Sequence, residues 1–191
     1  MPVCIKNTLP FERGDTFNDG SWLTLDDTVI KSLEGHTFWV EDTVHNTGMP
    51  VGLIAVKNDT GAAITVARKF CKFSNTDAYD LPRRIGTFPN NTAGGLCLAL
   101  DDAYTVGDSI PDDDIFWCVF YGVVDVLTAA TVASLASNMN VASTNAGVIK
   151  DGAAAAGETV LGTLVPADSW SAATAATVFM DVSFRGAEAA G

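Results

Sequence analysis

The side chains able to do chemistry are few in this 191-residue sequence, and they are widely spread. Two histidines, His36 and His45, stand nine apart, with Glu41 and Asp42 between them. Imidazole and carboxylate donors suit zinc, but an HxxxH pair that would present two rings on one helix face is absent, so no metal set is assigned there. Asp112, Asp113 and Asp114 could face a calcium ion with loop carbonyls, yet the EF-hand ligand pattern is missing. They are expected to form an acidic turn. Cys4, Cys71, Cys97 and Cys118 include no CxxC pair. Cys97 and Cys118 lie in apolar runs, where a reduced buried thiol is the common outcome. The expectation is a chain without disulfides, metal or cofactor, made in a reducing cytoplasm.

Nucleophilic catalysis fares no better. Gly107-Asp108-Ser109 matches the serine block of one lipase family, in which the catalytic histidine follows the serine. No histidine follows His45, so a polar turn is expected. A carboxylate pair for glycoside hydrolysis is defined by separation in space, which spacing along the chain does not give. There is no P-loop and no dinucleotide fingerprint. The chain does not read as an enzyme.

Charge narrows the partners. Residues 1–89 carry nine Lys/Arg against eleven Asp/Glu, whereas residues 90–191 carry only Lys150 and Arg185 against twelve acids. A surface that neutralises phosphates needs clustered basic residues, so nucleic acid is not expected as a partner. With 48% hydrophobic and 18% charged residues, the chain should fold around a real core and present little charge. No apolar signal segment opens the sequence, and no stretch approaches the ~20 apolar residues of a membrane-spanning helix.

The element that organises the rest is the run 115–130, IFWCVFYGVVDVLTAA. Its first ten residues carry no charge, and aromatic and β-branched types predict a strand buried on both faces. Residues 38–40 read as a short strand. Residues 51–57 and 62–70 flank Asn58-Asp59-Thr60-Gly61, which has the chemistry of a hairpin turn. Leu25, Val29, Ile30 and Leu33 have helical spacing, and 128–136 could form a helical turn. Short strands are predicted at 96–100, 139–142, 147–149 and 160–165, with loops at 151–158 and 168–177. Over 178–185, Val178, Met180, Val182 and Phe184 alternate with Asp181, Ser183 and Arg185. The polar, Pro/Gly-rich stretch 74–95 is the candidate boundary.

This predicts a mainly β fold: an N-terminal arm (1–20), a β-rich N-terminal lobe (21–88), and a small antiparallel β-barrel or sandwich (89–191). Arg68, Lys69, Lys72, Arg83 and Arg84 are the one basic concentration. It is either a solvated loop or a docking patch for an acidic protein surface.

The last third resembles the small β-barrel of tailed-bacteriophage capsid decoration (cement) proteins. The likeness rests on Gly122-Val123-Val124-Asp125-Val126-Leu127, Ala146-Gly147-Val148-Ile149, Val160-Leu161-Gly162-Thr163 and the closing strand 178–185. It implies a non-enzymatic virion protein on the capsid exterior that stabilises the shell, with the major capsid protein as partner and self-association, for example as a trimer. Another phage structural part (head fibre, tail-tube or adaptor subunit) and a host-surface binding module are the alternatives. Phe11 and Phe17 sit among polar residues near Pro10 and Gly14. They are expected either to anchor the arm on a neighbouring subunit or to close the edge of their own lobe.

Overall fold

A run of β-branched and aromatic residues with a single glycine favours extended backbone, and IFWCVFYGVVDVL adopts it throughout. The computed structural model describes residues 9–18, 33–65, 68–73, 84–87, 97–105, 107–127, 132–135, 140–143, 149–150, 160–164, 168–170 and 175–181. Among these there are twelve strands and no helix: β1 (Thr37–Glu41), β2 (Pro50–Asn58), β3 (Phe70–Phe73), β4 (Arg84–Thr87), β5 (Cys97–Leu100), β6 (Ile115–Leu127), β7 (Val132–Leu135), β8 (Asn140–Ser143), β9 (Ile149–Lys150), β10 (Val160–Leu164), β11 (Asp168–Trp170) and β12 (Ala175–Asp181). Ten of them make one sheet in the order β1-β2-β4-β3-β5-β6-β12-β10-β8-β9, and β7 pairs with β11. The sheet is mixed, because β2 and β4 run parallel while their neighbours run antiparallel.

Both edges of β6 are used. Its first half lies against β2, from Lys57↔Ile115 to Gly52↔Tyr121. Its second half lies against β12, from Asp181↔Tyr121 to Ala175↔Leu127, and β5 joins at Ala99↔Val119 and Leu100↔Cys118. Pairings therefore run from β6 through β2, β4, β3 and β5 and back to β6. The mainly β expectation holds, but the C-terminal lobe is not a closed barrel. β12, β10, β8 and β9 form an open row continuous with the N-terminal strands. Strands on both sides of residue 88 pair with one another, β5 with β3 and β6 with β2, so ten of the twelve described strands share one sheet.

Burial follows the pairing. Ile115, Phe116, Trp117, Cys118 and Val119 are all buried, as a strand covered on both faces requires. Along β12 the pattern alternates, with Ala176, Val178 and Met180 inside and Ala175, Thr177 and Phe179 half-exposed. Cys71 and Cys118 are buried free thiols. Burial, and then a hydrogen bond with Cys71, pushes the Cys118 thiol above its ordinary pKa, so it stays protonated. Cys4 lies outside the described residues.

Several local expectations fail. Asn58–Gly61 turns the chain with Gly61 at φ +75°, but 62–70 does not return along β2. The edges of β2 are taken by β1, β4 and β6. The buried Asn58 amide instead donates to the carbonyls of Ala62 (2.9 Å), Ile110 (3.1 Å) and Pro111 (2.9 Å), and Ile64 bridges to Ile110. Within the expected boundary stretch, 84–87 forms β4. Residues 132–135, expected as part of a helical turn, and 168–170, expected as loop, form β7 and β11. Leu25, Val29 and Ile30 lie outside the described residues, as does 182–185 of the closing strand.

Where β2 crosses β6 the register shifts from Gly52↔Tyr121 to Leu53↔Val119, leaving Phe120 as the extra residue of a bulge. Gly122 follows it at φ +106°, where a Cβ would meet the Pro50 carbonyl oxygen at 2.9 Å. Gly61 has a similar φ with nothing within 4 Å. Gly61→Ala is expected to cost only the roughly 1–2 kcal/mol of left-handed strain. Gly122→Ala should cost clearly more and lower the melting temperature further, because the backbone it strikes is held in the sheet. Equal losses in thermal melts would show that the close approach is unimportant.

Candidate functional site

Residues 9–18 fold back onto the body of their own chain. Phe11 stacks on Trp117 with ring centroids 4.4 Å apart, and Phe17 stacks on Phe11 at 5.9 Å. Trp117 Nε1 donates to the Phe11 carbonyl at 3.3 Å, while Phe17 and Ile115 exchange backbone bonds at 2.9 Å. Phe11 and Phe17 thus pack on β6 of their own chain, the second of the two expected arrangements. The flat faces of a large indole need cover, and these rings supply it.

Arg68 sits at φ +60° with Nη1 3.8 Å from Asp125 Oδ2, Lys72 is buried in β3, and Arg84 Nε lies 3.5 Å from Glu34 Oε2. Arg83 lies outside the described residues. The other polar groups singled out in the sequence are engaged within the chain. Asp108 accepts from the Thr105 backbone N–H and hydroxyl. The three acids of 112–114 diverge, to Gly61 N–H, Lys57 Nζ and Thr16 Oγ1 respectively.

A different polar constellation is assembled by the sheet. Asp101 and Asp102 follow β5 and are buried. Arg13 Nε donates to both Asp101 oxygens at 3.2 and 2.9 Å, and its Nη2 reaches Asp101 Oδ1 and, at 3.2 Å, Asp102 Oδ1. Tyr104, just beyond, donates to the Asp15 carbonyl and accepts from Trp117 N–H at 3.2 Å. His45 enters from the β1–β2 loop. Its Nε2 lies 3.3 Å from Asp102 Oδ2 and 3.3 Å from Asp125 Oδ1, and its Nδ1 lies 3.4 Å from Asp42 Oδ1. The ligand atoms of His45, Asp102 and Asp125 lie within 4.8 Å of one another.

These carboxylates are tuned in opposite directions. Burial pushes Asp42 up, but hydrogen bonds from the Thr47 hydroxyl and the His45 backbone, with the nearby imidazole, outweigh it and hold Asp42 below its ordinary pKa. For Asp102 burial dominates. The Asp101 charge adds to it, and Asp102 is pushed up to about 6 despite the Asp125 N–H, His45 and Arg13. A visible sequence signal was Asp125 itself, a charge inside an apolar strand, which implies a partner.

The half-exposed face of the sheet carries a row of rings. Trp39 on β1 meets Phe120 and Tyr121 edge-on, each at 5.3 Å, and Tyr121 meets Phe179 of β12 at 5.2 Å. Gly52 makes room for this, since a Cβ there would sit 2.6 Å from the Phe120 ring. The β1–β2 loop holds Val44 and Met49, which are 43% and 39% exposed. Sequence reasoning did not single out this row, because the bulge at Phe120 is needed to put neighbouring rings together.

Truncating Arg13 would leave two buried carboxylates without their main counter-charge. Arg13→Ala is expected to destabilise the isolated protein by about 3–5 kcal/mol in denaturant unfolding. A loss below about 1 kcal/mol would show that residues 9–18 are not held by this pair.

No protein-family model matches the chain, and no curated protein matches it. Among solved structures, it is similar to the head fibre gp8.5 N base of bacteriophage phi29, with 13% identity and a TM-score of 0.41, over 68% of this chain and 92% of that one. At that distance the likeness assigns no residue a role.

Proposed function

We propose that the protein is a structural component of a tailed-bacteriophage virion, one that docks on the outer surface of the assembled major capsid shell and stabilises it without catalysing a reaction. The observation that carries this reading is the ring row Trp39, Phe120, Tyr121 and Phe179, in a fold that also exposes Val44 and Met49 on the β1–β2 loop. Interfaces concentrate aromatic anchors at their centre, and large rigid rings give contact area at small entropic cost. The segments behind the sequence resemblance also sit together. Those of 122–127, 160–163 and 178–181 fall on β6, β10 and β12, which pair in the order β6-β12-β10. The acidic excess of residues 90–191 favours an outward position, since like charge opposes contact with packaged DNA. Self-association on the shell would multiply weak contacts through effective concentration.

Co-sedimentation with empty capsid shells tests the reading. Trp39→Ala should weaken shell binding by at least about tenfold, as loss of an interface anchor does. Met49→Asp, at an exposed position, should weaken it with an unchanged melting temperature. Full binding by both variants would remove this face from the interface, and failure of the parent protein to bind shells would overturn the reading itself.

A further inference from the structure

We propose that His45, Asp102 and Asp125 form a binding site for a transition-metal dication of the Zn2+ type, which staples the β1–β2 loop to β6 and the end of β5. Three parts of the chain bring their donors to one point. The separations are informative. Each of the two His45 Nε2–carboxylate distances is 3.3 Å. A charge-assisted N–H···O bond would be about 2.7–2.9 Å. Donors around a four-coordinate ion with bonds of about 2.0–2.2 Å stand about 3.3–3.6 Å apart. Both ring nitrogens of His45 are buried and neither has a hydrogen-bond partner. A buried polar atom left unsatisfied calls for an occupant that supplies the missing interaction.

The surroundings are those of a metal site. Asp42 lies 3.4 Å from His45 Nδ1, on the side where metal-bound imidazoles commonly have an orienting carboxylate. Asp42 is itself fixed by the backbone N–H groups of Val44 and His45 and by the Thr47 hydroxyl. Thr177 Oγ1 donates to Asp125 Oδ1 at 2.8 Å, and Asp125 N–H donates to Asp102 Oδ2 at 3.0 Å, so both carboxylates are positioned. Arg13 engages Asp102 through Oδ1, leaving Oδ2 toward His45. Four carboxylates (Asp42, Asp101, Asp102, Asp125) face two guanidinium groups (Arg13, Arg68), which leaves two negative charges beside the His45 imidazole. One nitrogen with two carboxylate oxygens suits zinc-type ions rather than Ca2+ or Mg2+, which take all-oxygen shells. The competing occupant is a proton, giving an imidazolium among carboxylates.

Calorimetric titration of the chelator-treated full chain with Zn2+ separates the two. The expected result is one Zn2+ per chain, a melting temperature that rises with Zn2+, and a Co2+ spectrum without thiolate charge-transfer absorption. His45→Gln and Asp125→Asn should each weaken binding by at least about tenfold, and Asp42→Asn by about 10- to 100-fold. His45→Gln carries the test if Asp125→Asn fails to fold, because it leaves the Arg13 and Thr177 contacts in place. No Zn2+ uptake by the parent protein, undiminished uptake by His45→Gln, or a thiolate-bound Co2+ spectrum would each overturn the site.

Discussion

Saturation of both edges of β6 is the constraint from which most of the structure follows. A strand buried on both faces must also satisfy its backbone groups within the protein, because water does not reach them. β2 does this along one edge, and β5 and β12 share the other. Holding three partners along thirteen residues demands a local change of register, and the bulge at Phe120 with Gly122 behind it provides one. The same bulge turns two adjacent rings toward one face. Edge saturation and the aromatic row are therefore one feature seen from two sides.

A second constraint comes from polar groups carried into the interior. Asp101 and Asp102 end a buried strand, and their charge is tolerable only with counter-charge at hand. Arg13 brings that counter-charge from the N-terminal segment, while Phe11 and Phe17 seal Trp117 beside it. Residues 9–18 thus behave as a structural part of the body. Sequence reasoning left the choice open because a polar segment with scattered phenylalanines looks the same whether its acceptor is its own chain or another.

What was legible in the sequence was what is encoded over a few residues. The strands at 51–57, 97–100, 115–127 and 160–164 announce themselves by apolar runs, and the alternation of Val178 and Met180 against Asp181 matches the burial seen. The return strand at 62–70 was misread because its exclusion depends on β6, some fifty residues away, already occupying β2. β7 and β11 were missed because VASL and DSW are only four and three residues long, with a single strand-favouring residue each, Val132 and Trp170. His45 and Asp42 were each visible as chemistry-bearing residues, yet the partners that matter, Asp102 and Asp125, come from strands joined only in the folded sheet.

The pairing of β2 with β6 has a kinetic consequence. During synthesis β2 leaves the ribosome well before β6, and until then it has only the short β1 and, at Lys57 and Asn58, β4 to pair with. Contacts this distant in sequence close slowly, because the intervening chain must be ordered before the pairing rewards it. The N-terminal half must therefore wait, with an exposed β edge, for the residues that complete it. Productive folding of such a chain is a race between arrival of β6 and edge-to-edge association of neighbouring nascent chains, and slower translation or a high local concentration tilts that race toward aggregation.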